Sequence, residues 1–243
     1  IVQRWISGSW QAAVIQSMSV SANGSSRTST SSTRSSVMAR GYGPVAPGRY
    51  GFAVDVTAAV HKRMSVRQFT NEAVPDEVLR GLLTDAARAP SGGNLQPWRI
   101  YVVNGASMAR LRGHLAAQPP MEKPEYDIYP AELAEPYRTN RFAVGEAMYA
   151  TLGIGRDDKD GRRRQFAHNN DFFGAPAALF CFVDRGMGWP QWSDLGMFLQ
   201  TFMLLAVERG LGSCAQEYWA VRHSAVRSFV GAPDNEMLFC GMS

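Results

Sequence analysis

The chain has 243 residues, of which 45% are hydrophobic and 19% are charged, and its formal net charge is +4. This length suits one large domain or two smaller ones, and the apolar fraction excludes a chain that is disordered throughout. Its three cysteines form no CxxC pair, and its apolar stretches are shorter than the roughly 18 residues that span a bilayer. The sequence therefore predicts no disulfide scaffold, no metal site and no membrane segment, and it favours a reducing compartment, the cytoplasm.

The positive charge is concentrated at the N-terminus. Residues 1–54 contain five arginines, no lysine and no acidic residue, whereas the remainder has 20 basic and 21 acidic residues and is almost neutral. A nucleic-acid-binding domain typically carries a basic face on its folded part. The charge distribution therefore argues against a nucleic-acid partner.

The N-terminal composition is that of a tail. In Ser17–Ser36, ten of the twenty residues are serine and three are threonine. Such a stretch buries too little apolar surface to offset the entropy of ordering it. Glycine and proline then cluster in residues 41–51, as in a linker. We therefore predict that residues 1–54 are a disordered Ser/Arg-rich tail and linker, and that residues 55–243 form the folded domain.

Two explanations of this tail stay open. An Arg- and Ser-rich segment without acids is typical of an organelle transit peptide. The alternative is an extended or misassigned start, since the chain begins with Ile1 and either Met18 or Met38 is a candidate first residue. No amphipathic helix is evident in the tail, which favours the second explanation.

Helices alternate with a few strands in the rest of the chain. Asp55 is a candidate N-cap, either Ser193 or Asp194 is the candidate N-cap of the longest helix, and Gly210 is its candidate end. Apolar spacing predicts helices over 55–64, 75–89, 105–117, 141–152, 193–209 and 222–230, strands over 98–103, 177–183 and 237–242, and a long loop over 118–136. This pattern indicates an α/β or α+β layered domain.

Several familiar catalytic patterns are absent. The sequence has no GxxxxGK[ST] loop and no HExxH motif, its histidines are scattered, and GLGSC (210–214) lacks the third glycine of a dinucleotide fingerprint. Cys181 and Cys240 fall in apolar runs, so Cys214 is the only thiol with a case for exposure. No nucleophile–base pair stands out. We therefore nominate no catalytic side chain and expect that a cofactor performs the chemistry.

Two clusters have the residue types of ligand contacts. In RMSVRQF, alternate residues of an extended segment point the same way, so Arg63, Ser65 and Arg67 can converge on one anion, although an exposed basic helix end has the same composition. APSGGNLQPW (89–98) has small residues that permit close approach of a planar ligand, or it is an ordinary connection. The run RDDKDGRRR (156–164) is either a phosphate site or a solvated helix face, and its mixed charge favours the latter.

Taken together, these clusters resemble the FMN-dependent nitroreductase family. The family pattern R-x-S-x-[RK]-x-F, V-P-x-E and A-P-S-x-x-N-x-Q-P-W is matched in order and spacing by RMSVRQF, VPDEVLRGLL and APSGGNLQPWRIYVV. The resemblance continues in FFGAPAALFCFVDR and CAQEYWA and covers about residues 55–243. HNNDFF, PQWSDLGMFLQ and MLFCGM are most similar to the nitrobenzoate and dinitroaniline reductases.

The resemblance implies a fold and a set of binding residues. The expected fold is α+β and has three α-β-α layers, in which helices flank a mixed, mainly antiparallel sheet. The resemblance further implies a homodimer with FMN at the dimer interface. The segment that would hold the FMN phosphate and ribityl end comprises Arg63, Met64, Ser65 and Arg67. The segment that would reach the flavin bound to the partner comprises Pro90, Ser91, Gly92 and Asn94. The segment that would lie beside the isoalloxazine ring comprises Ala215, Gln216 and Glu217. The asparagine at the polar edge of the ring corresponds to either Asn169 or Asn170.

The implied activity is reduction of nitroaromatic compounds by NAD(P)H, with ping-pong hydride transfer through FMN. Trp192, Phe198 and Tyr218 are candidate linings of the acceptor pocket, although aromatic residues at helical spacing are more often core. Alternatives are a flavin-dependent quinone or enone reductase, a non-catalytic flavin-binding protein, and a truncated inactive product. Since the family continues past Ser243 with an arm that carries a phosphate-binding arginine, we expect weak dimerisation and weak FMN retention in a chain that lacks it.

Overall fold

Six strands form one sheet in the computed structural model, which describes Val2–Ile6, Ser9–Ala12 and residues 55–243. The strands are β1 (Val2–Ile6), β2 (Ser9–Ala12), β3 (Arg99–Asn104), β4 (Ala177–Asp184), β5 (Ala215–Gln216) and β6 (Glu236–Met242). Their order is β2-β1-β3-β4-β6-β5, and every neighbouring pair is antiparallel. In the described ranges, the one isolated bridge is parallel and joins Ser65 to Ser213.

Seven α-helices and three 3₁₀ turns surround this sheet in the described part of the chain. The helices are α1 (Val56–Lys62), α2 (Asp76–Ala86), α3 (Ala106–Ala116), α4 (Tyr137–Thr151), α5 (Lys159–Ala167), α6 (Trp189–Glu208) and α7 (His223–Val230). The 3₁₀ turns are Gly92–Asn94, His168–Gly174 and Glu217–Arg222. Across residues 55–243 and the two N-terminal strands, none of the helices has the length and apolar character needed to cross a bilayer.

Each face of the sheet carries its own hydrophobic core because successive strand residues point to opposite faces. On one face, strand residues such as Ile100 and Cys181 pack with α2 and α6. On the other face, Tyr101 and Phe180 pack with α3, α7 and the 3₁₀ turn that carries Trp219. The result is the three-layer α+β arrangement predicted from the sequence.

Two strands lie within residues predicted to be a disordered tail. The backbone of β1 pairs with β3 from Val2↔Val103 to Ile6↔Arg99, and β2 pairs with β1. The tail prediction is therefore wrong for Val2–Ile6 and Ser9–Ala12. It was based on the Ser-rich stretch, whereas these segments, VQRWI and SWQA, contain the β-branched and aromatic residues that favour strands. The rest of residues 1–54 lies outside the described residues.

Most predicted helix boundaries are confirmed within a few residues, and the largest differences are at the starts of α4 and α6. Asp55 caps α1 by accepting a 2.8 Å hydrogen bond from the Ala58 amide. Helix α6 begins before the predicted caps, after Gly188, because Pro190 suits the first turn, where its missing N–H has no helical partner. Helix α4 likewise begins at Tyr137 rather than at 141.

The long loop 118–136 is anchored by an acidic residue at its centre. Glu125 accepts hydrogen bonds from Arg185 at 2.6 Å and from Arg227 at 3.0 Å, and His223 lies 3.5 Å away. Burial favours a higher pKa for Glu125, but Arg185, His223 and Arg227 together outweigh it and leave the pKa lowered. This anchoring holds the loop against α7 and the turn that follows β4.

Candidate functional site

The segment after α1 is fixed by its backbone. The Arg63 amide caps the end of α1 by donating to Ala59 O at 2.9 Å, Ser65 forms the parallel bridge to Ser213, and the Val66 amide donates to Ser213 O at 3.0 Å. This places the predicted anion-binding segment beside the chain that leads into Ala215–Glu217.

A glycine permits this close approach. A Cβ added at Gly212 would lie 2.9 Å from Cγ2 of Val66, which is closer than real Cβ contacts. A side chain at position 212 would therefore push the segment that carries Arg63 and Arg67 away from the bridge.

The two arginines of this segment have no anionic partner. Arg63 is half-buried and Arg67 is exposed. Among residues 55–243, neither guanidinium lies within ion-pair distance of a carboxylate, and residues 1–54 contain no Asp or Glu. Within residues 55–243, the one hydrogen bond of the Arg67 side chain is to the Ser65 carbonyl, at 3.3 Å. Two unpaired guanidiniums on a fixed backbone have the chemistry of an anion site.

Cys214, next to this segment, is not the exposed thiol that the sequence suggested. Its exposed fraction is 2%, and its backbone pairs with Ser243 through two hydrogen bonds. Burial raises the pKa of the Cys214 thiol, and the Arg67 guanidinium opposes the rise only in part. The thiol is therefore a poor nucleophile.

The turn Ala215–Glu217 is held by side chains from the 3₁₀ turn His168–Gly174. Gln216 is 3% exposed, and its Nε2 donates to both the backbone O and Oδ1 of Asn169 at 3.1 Å. The Tyr218 hydroxyl donates to Asn170 Oδ1 at 2.8 Å. Both asparagines that the sequence left as alternatives therefore position this turn, while Ala215 and Glu217 remain exposed.

The segment Pro90–Asn94 is anchored by a residue that the sequence analysis placed elsewhere. The Gly92 amide donates to Oδ1 and Oδ2 of Asp194 at 3.3 and 3.2 Å. Asp194 is 4% exposed and lies inside α6, not at its N-cap. A signal was present in the sequence, since Asp194 is the one charged residue among the apolar positions of that helix face.

The backbone of the same segment is unusual. Gly93, Asn94 and Gln96 all have positive φ, at 56°, 55° and 48°. The Ser91 hydroxyl accepts from the Gln96 amide at 2.9 Å, which stabilises this conformation. Among the described residues, the segment makes no hydrogen bond to 63–67 or to 215–217. The structure therefore brings together two of the three predicted site segments within one chain, and it leaves the third exposed.

Other sequence candidates have structural roles. Arg162 pairs with Glu146 at 2.7 Å and Arg163 pairs with Asp160, so the run 156–164 is a charged helix face and not a phosphate site. Phe198, a candidate pocket lining, is fully buried and stacks on Trp98.

The profile of the Nitroreductase family matches residues 60–243. The chain belongs to the nitroreductase family. This match confirms the family predicted from the sequence and the oxidoreductase class that it implies.

Named relatives and solved structures agree with this membership. Nitrobenzene nitroreductase of Ectopseudomonas oleovorans is 36% identical over 188 residues, which cover 76% of this chain and 83% of that protein. The 4-nitrobenzoate reductase of Pseudomonas putida is 36% identical over 191 residues, or 78% and 84% of the two chains. The structure of the FMN and NADPH-dependent nitroreductase NfnB from Sphigopyxis sp. strain HMH is 47% identical with a TM-score of 0.74, covering 77% and 86%. The likeness to this structure confirms the fold class.

The residues of this nitroreductase fit FMN. A phosphate monoester needs cationic and hydroxyl donors, and Arg63, Arg67 and Ser65 supply them without competing carboxylates. The buried Ser213 hydroxyl, across the bridge, makes no hydrogen bond to a described residue. Ala215 and Glu217, which follow the bridge by two and four residues, are exposed to solvent.

Proposed function

We propose that this nitroreductase is an FMN-dependent enzyme that reduces nitroaromatic compounds with NAD(P)H. The observation that carries the proposal is that Arg63 and Arg67, which pair with no carboxylate of the described residues, lie on a backbone bridged to Ser213, two residues before Ala215–Glu217. The relatives named for nitrobenzene and 4-nitrobenzoate reduction, and the FMN and NADPH dependence stated for the similar NfnB structure, support the same reaction.

The residues would divide the binding work. Arg63, Ser65 and Arg67 would hold the phosphate, with Met64 lying along the ribityl chain. Ala215, Gln216 and Glu217 would lie beside the ring, in a turn that the two asparagines keep rigid. FMN supplies the hydride chemistry when it is bound. The protein's contribution is to fix position and to stabilise negative charge on the ring through hydrogen bonds.

A second copy of the chain would complete each site. Pro90, Gly92 and Asn94 are exposed, Ser91 is half-buried, and their segment is fixed by Asp194 rather than by its own chain's site. We propose that this preformed segment contacts the FMN of the partner in a homodimer. Three free cysteines fit a reducing compartment, and we assign the protein to the cytoplasm on that basis.

The visible spectrum of purified protein tests the function. We expect a bound flavin that bleaches when NADPH or NADH is added without oxygen, and that regains its colour on addition of a nitroarene. Double-reciprocal plots of initial rate against acceptor concentration, at several fixed NAD(P)H concentrations, should give parallel lines, as a ping-pong mechanism requires. A colourless protein that takes up no FMN would exclude the proposal, and a flavin that NAD(P)H does not bleach would leave only a binding function.

The dimer has its own test. Gly92→Trp places a bulky ring on the exposed segment without disturbing Arg63 or the turn at Gln216. We expect a lower flavin-to-protein ratio and weaker self-association by sedimentation. A fully active, flavin-saturated monomer at low concentration would contradict the proposed contact.

A further inference from the structure

Two half-exposed aromatic rings flank the turn Ala215–Glu217. The Tyr129 hydroxyl, from the loop 118–136, donates to Glu217 Oε2 at 2.9 Å, and its ring is 46% exposed. Phe166, at the end of α5, packs edge-to-face on Tyr218 at 5.4 Å and is 50% exposed. Large aromatic rings are usually buried in monomers, so these two form apolar walls that are open to solvent.

A cation lies on one of these walls. The guanidinium carbon of Arg141, in the first turns of α4, is 4.4 Å from the centroid of the Tyr129 ring. Arg141 has no carboxylate within ion-pair distance among residues 55–243, and residues 1–54 contain none. By contrast Arg138, one turn earlier, pairs with Glu135. The Arg141 side chain also interacts with the Tyr129 hydroxyl. A guanidinium has five N–H donors, so a contact of this kind with one hydroxyl leaves others available for a ligand.

Nearby acids do not neutralise Arg141. Arg141 lines a surface groove of about 960 Å³ together with Glu132, Glu135 and Glu146, and none of these carboxylates is within ion-pair distance of Arg141. The Glu217 carboxylate lies beyond the Tyr129 ring, and the phenol hydroxyl donates to it. The Tyr129 ring therefore holds the Arg141 guanidinium on one side, while its hydroxyl contacts Glu217, in the segment proposed to lie beside the flavin.

We propose that Arg141 binds the anionic substituent of an aromatic acceptor, so that this nitroreductase prefers nitroarenes that carry a carboxylate to neutral ones. This inference rests on the proposed function. The aromatic walls suit the ring of the acceptor, and a guanidinium suits its carboxylate through paired hydrogen bonds. Sequence comparison does not make this choice, because the nitrobenzene and the 4-nitrobenzoate reductase are each 36% identical to the chain.

The test compares Arg141→Gln with Arg138→Gln in the FMN-loaded protein. The acceptors are 4-nitrobenzoate and nitrobenzene at saturating NADPH. We expect Arg141→Gln to raise the KM for 4-nitrobenzoate about tenfold more than the KM for nitrobenzene, the size of one charge-assisted contact. Arg138→Gln removes a charge that is already paired, and it should shift the two values alike. Equal shifts in Arg141→Gln, or a shift confined to the KM for NADPH, would overturn the proposal.

Binding without turnover separates this inference from the function. Calorimetric titration of the FMN-loaded wild type with benzoate and with benzamide measures anion recognition directly. We expect tighter binding of benzoate and loss of that preference in Arg141→Gln. No preference in the wild type would refute the role of Arg141, even if nitroarenes are reduced. Conversely, benzoate selectivity in a protein that reduces no nitroarene would contradict only the proposed function.

Discussion

Loss of both phosphate anchors is the sharpest test of the site. In Arg63→Gln/Arg67→Gln, each substitution removes a charge while keeping an unbranched polar side chain. A charge-assisted hydrogen bond contributes about 1.5–3 kcal/mol, which is about tenfold or more in Kd. Each single variant should therefore weaken FMN binding about tenfold or more, and the double variant about a hundredfold, with departures from additivity because the residues are neighbours.

The assay is titration of apo-protein with FMN, followed by quenching of flavin fluorescence. Riboflavin, which lacks the phosphate, is the matched ligand, and the loss in affinity for FMN should far exceed the loss for riboflavin. Lys62→Gln is the matched protein control because it removes an exposed charge one residue away without touching the proposed contacts. Added salt should weaken FMN binding to the wild type more than to the double variant, since salt screens exposed charges.

Two results would refute this reasoning. If the double variant binds FMN as the wild type does, Arg63 and Arg67 do not hold the phosphate. If Lys62→Gln weakens binding as much as either arginine variant, general positive charge rather than a specific contact explains the affinity.

Three further predictions concern the supporting structure. Asp194→Leu leaves the Gly92 amide without its acceptor and should lower FMN affinity by about 1–3 kcal/mol in the same fluorescence titration. Asp194→Asn retains an acceptor oxygen and should keep most of the affinity. Gly241→Ala places a Cβ against the Trp219 ring and should cost about 1–3 kcal/mol in urea unfolding, whereas Gly113→Ala, in open space on α3, should stabilise by about 0.5–1 kcal/mol. The lowered pKa of Glu125 adds stability above its unfolded pKa that is lost as the pH falls through the folded pKa. The destabilisation caused by Glu125→Gln should accordingly shrink in acid unfolding curves.

Features encoded over a few residues were predictable from the sequence. Asp55 lies three residues before the amide that it caps, and Gly210 adopts the positive φ, 73°, that ends a helix. The strands 98–103 and 177–183 carry dense β-branched and aromatic residues, and the structure has β3 and β4 there. The two motif clusters likewise indicate 63–67 and 89–98 as candidate ligand contacts from sequence alone.

Contacts between distant positions were not predictable in this way. Asp194 and Gly92 are 102 residues apart, Gln216 and Asn169 are 47 apart, and Tyr129 and Glu217 are 88 apart. Their polar side chains have no local periodicity that marks a partner. Only the folded chain shows that these residues position the site.

The two N-terminal strands illustrate the same limit. Composition over a long window was dominated by serine, and it concealed two short segments, β1 and β2, whose own residues favour strands. A strand added at a sheet edge gains backbone hydrogen bonds that do not depend on side-chain identity. Averages over a window therefore predict poorly where a neighbouring strand supplies the pairing.

Both parts of the site are held by backbone pairing, and this sharpens the first prediction. The segment 63–67 is fixed by backbone hydrogen bonds to Ala59 and Ser213, and Gln216 is fixed by the pairing of β5 with β6 and by its side chain. Substituting the guanidiniums leaves the backbone bonds in place, so a loss of FMN affinity would report the missing contacts rather than a displaced segment. Because backbone hydrogen bonds already fix this segment, FMN binding costs little conformational entropy there. The charge contacts therefore contribute almost fully to affinity.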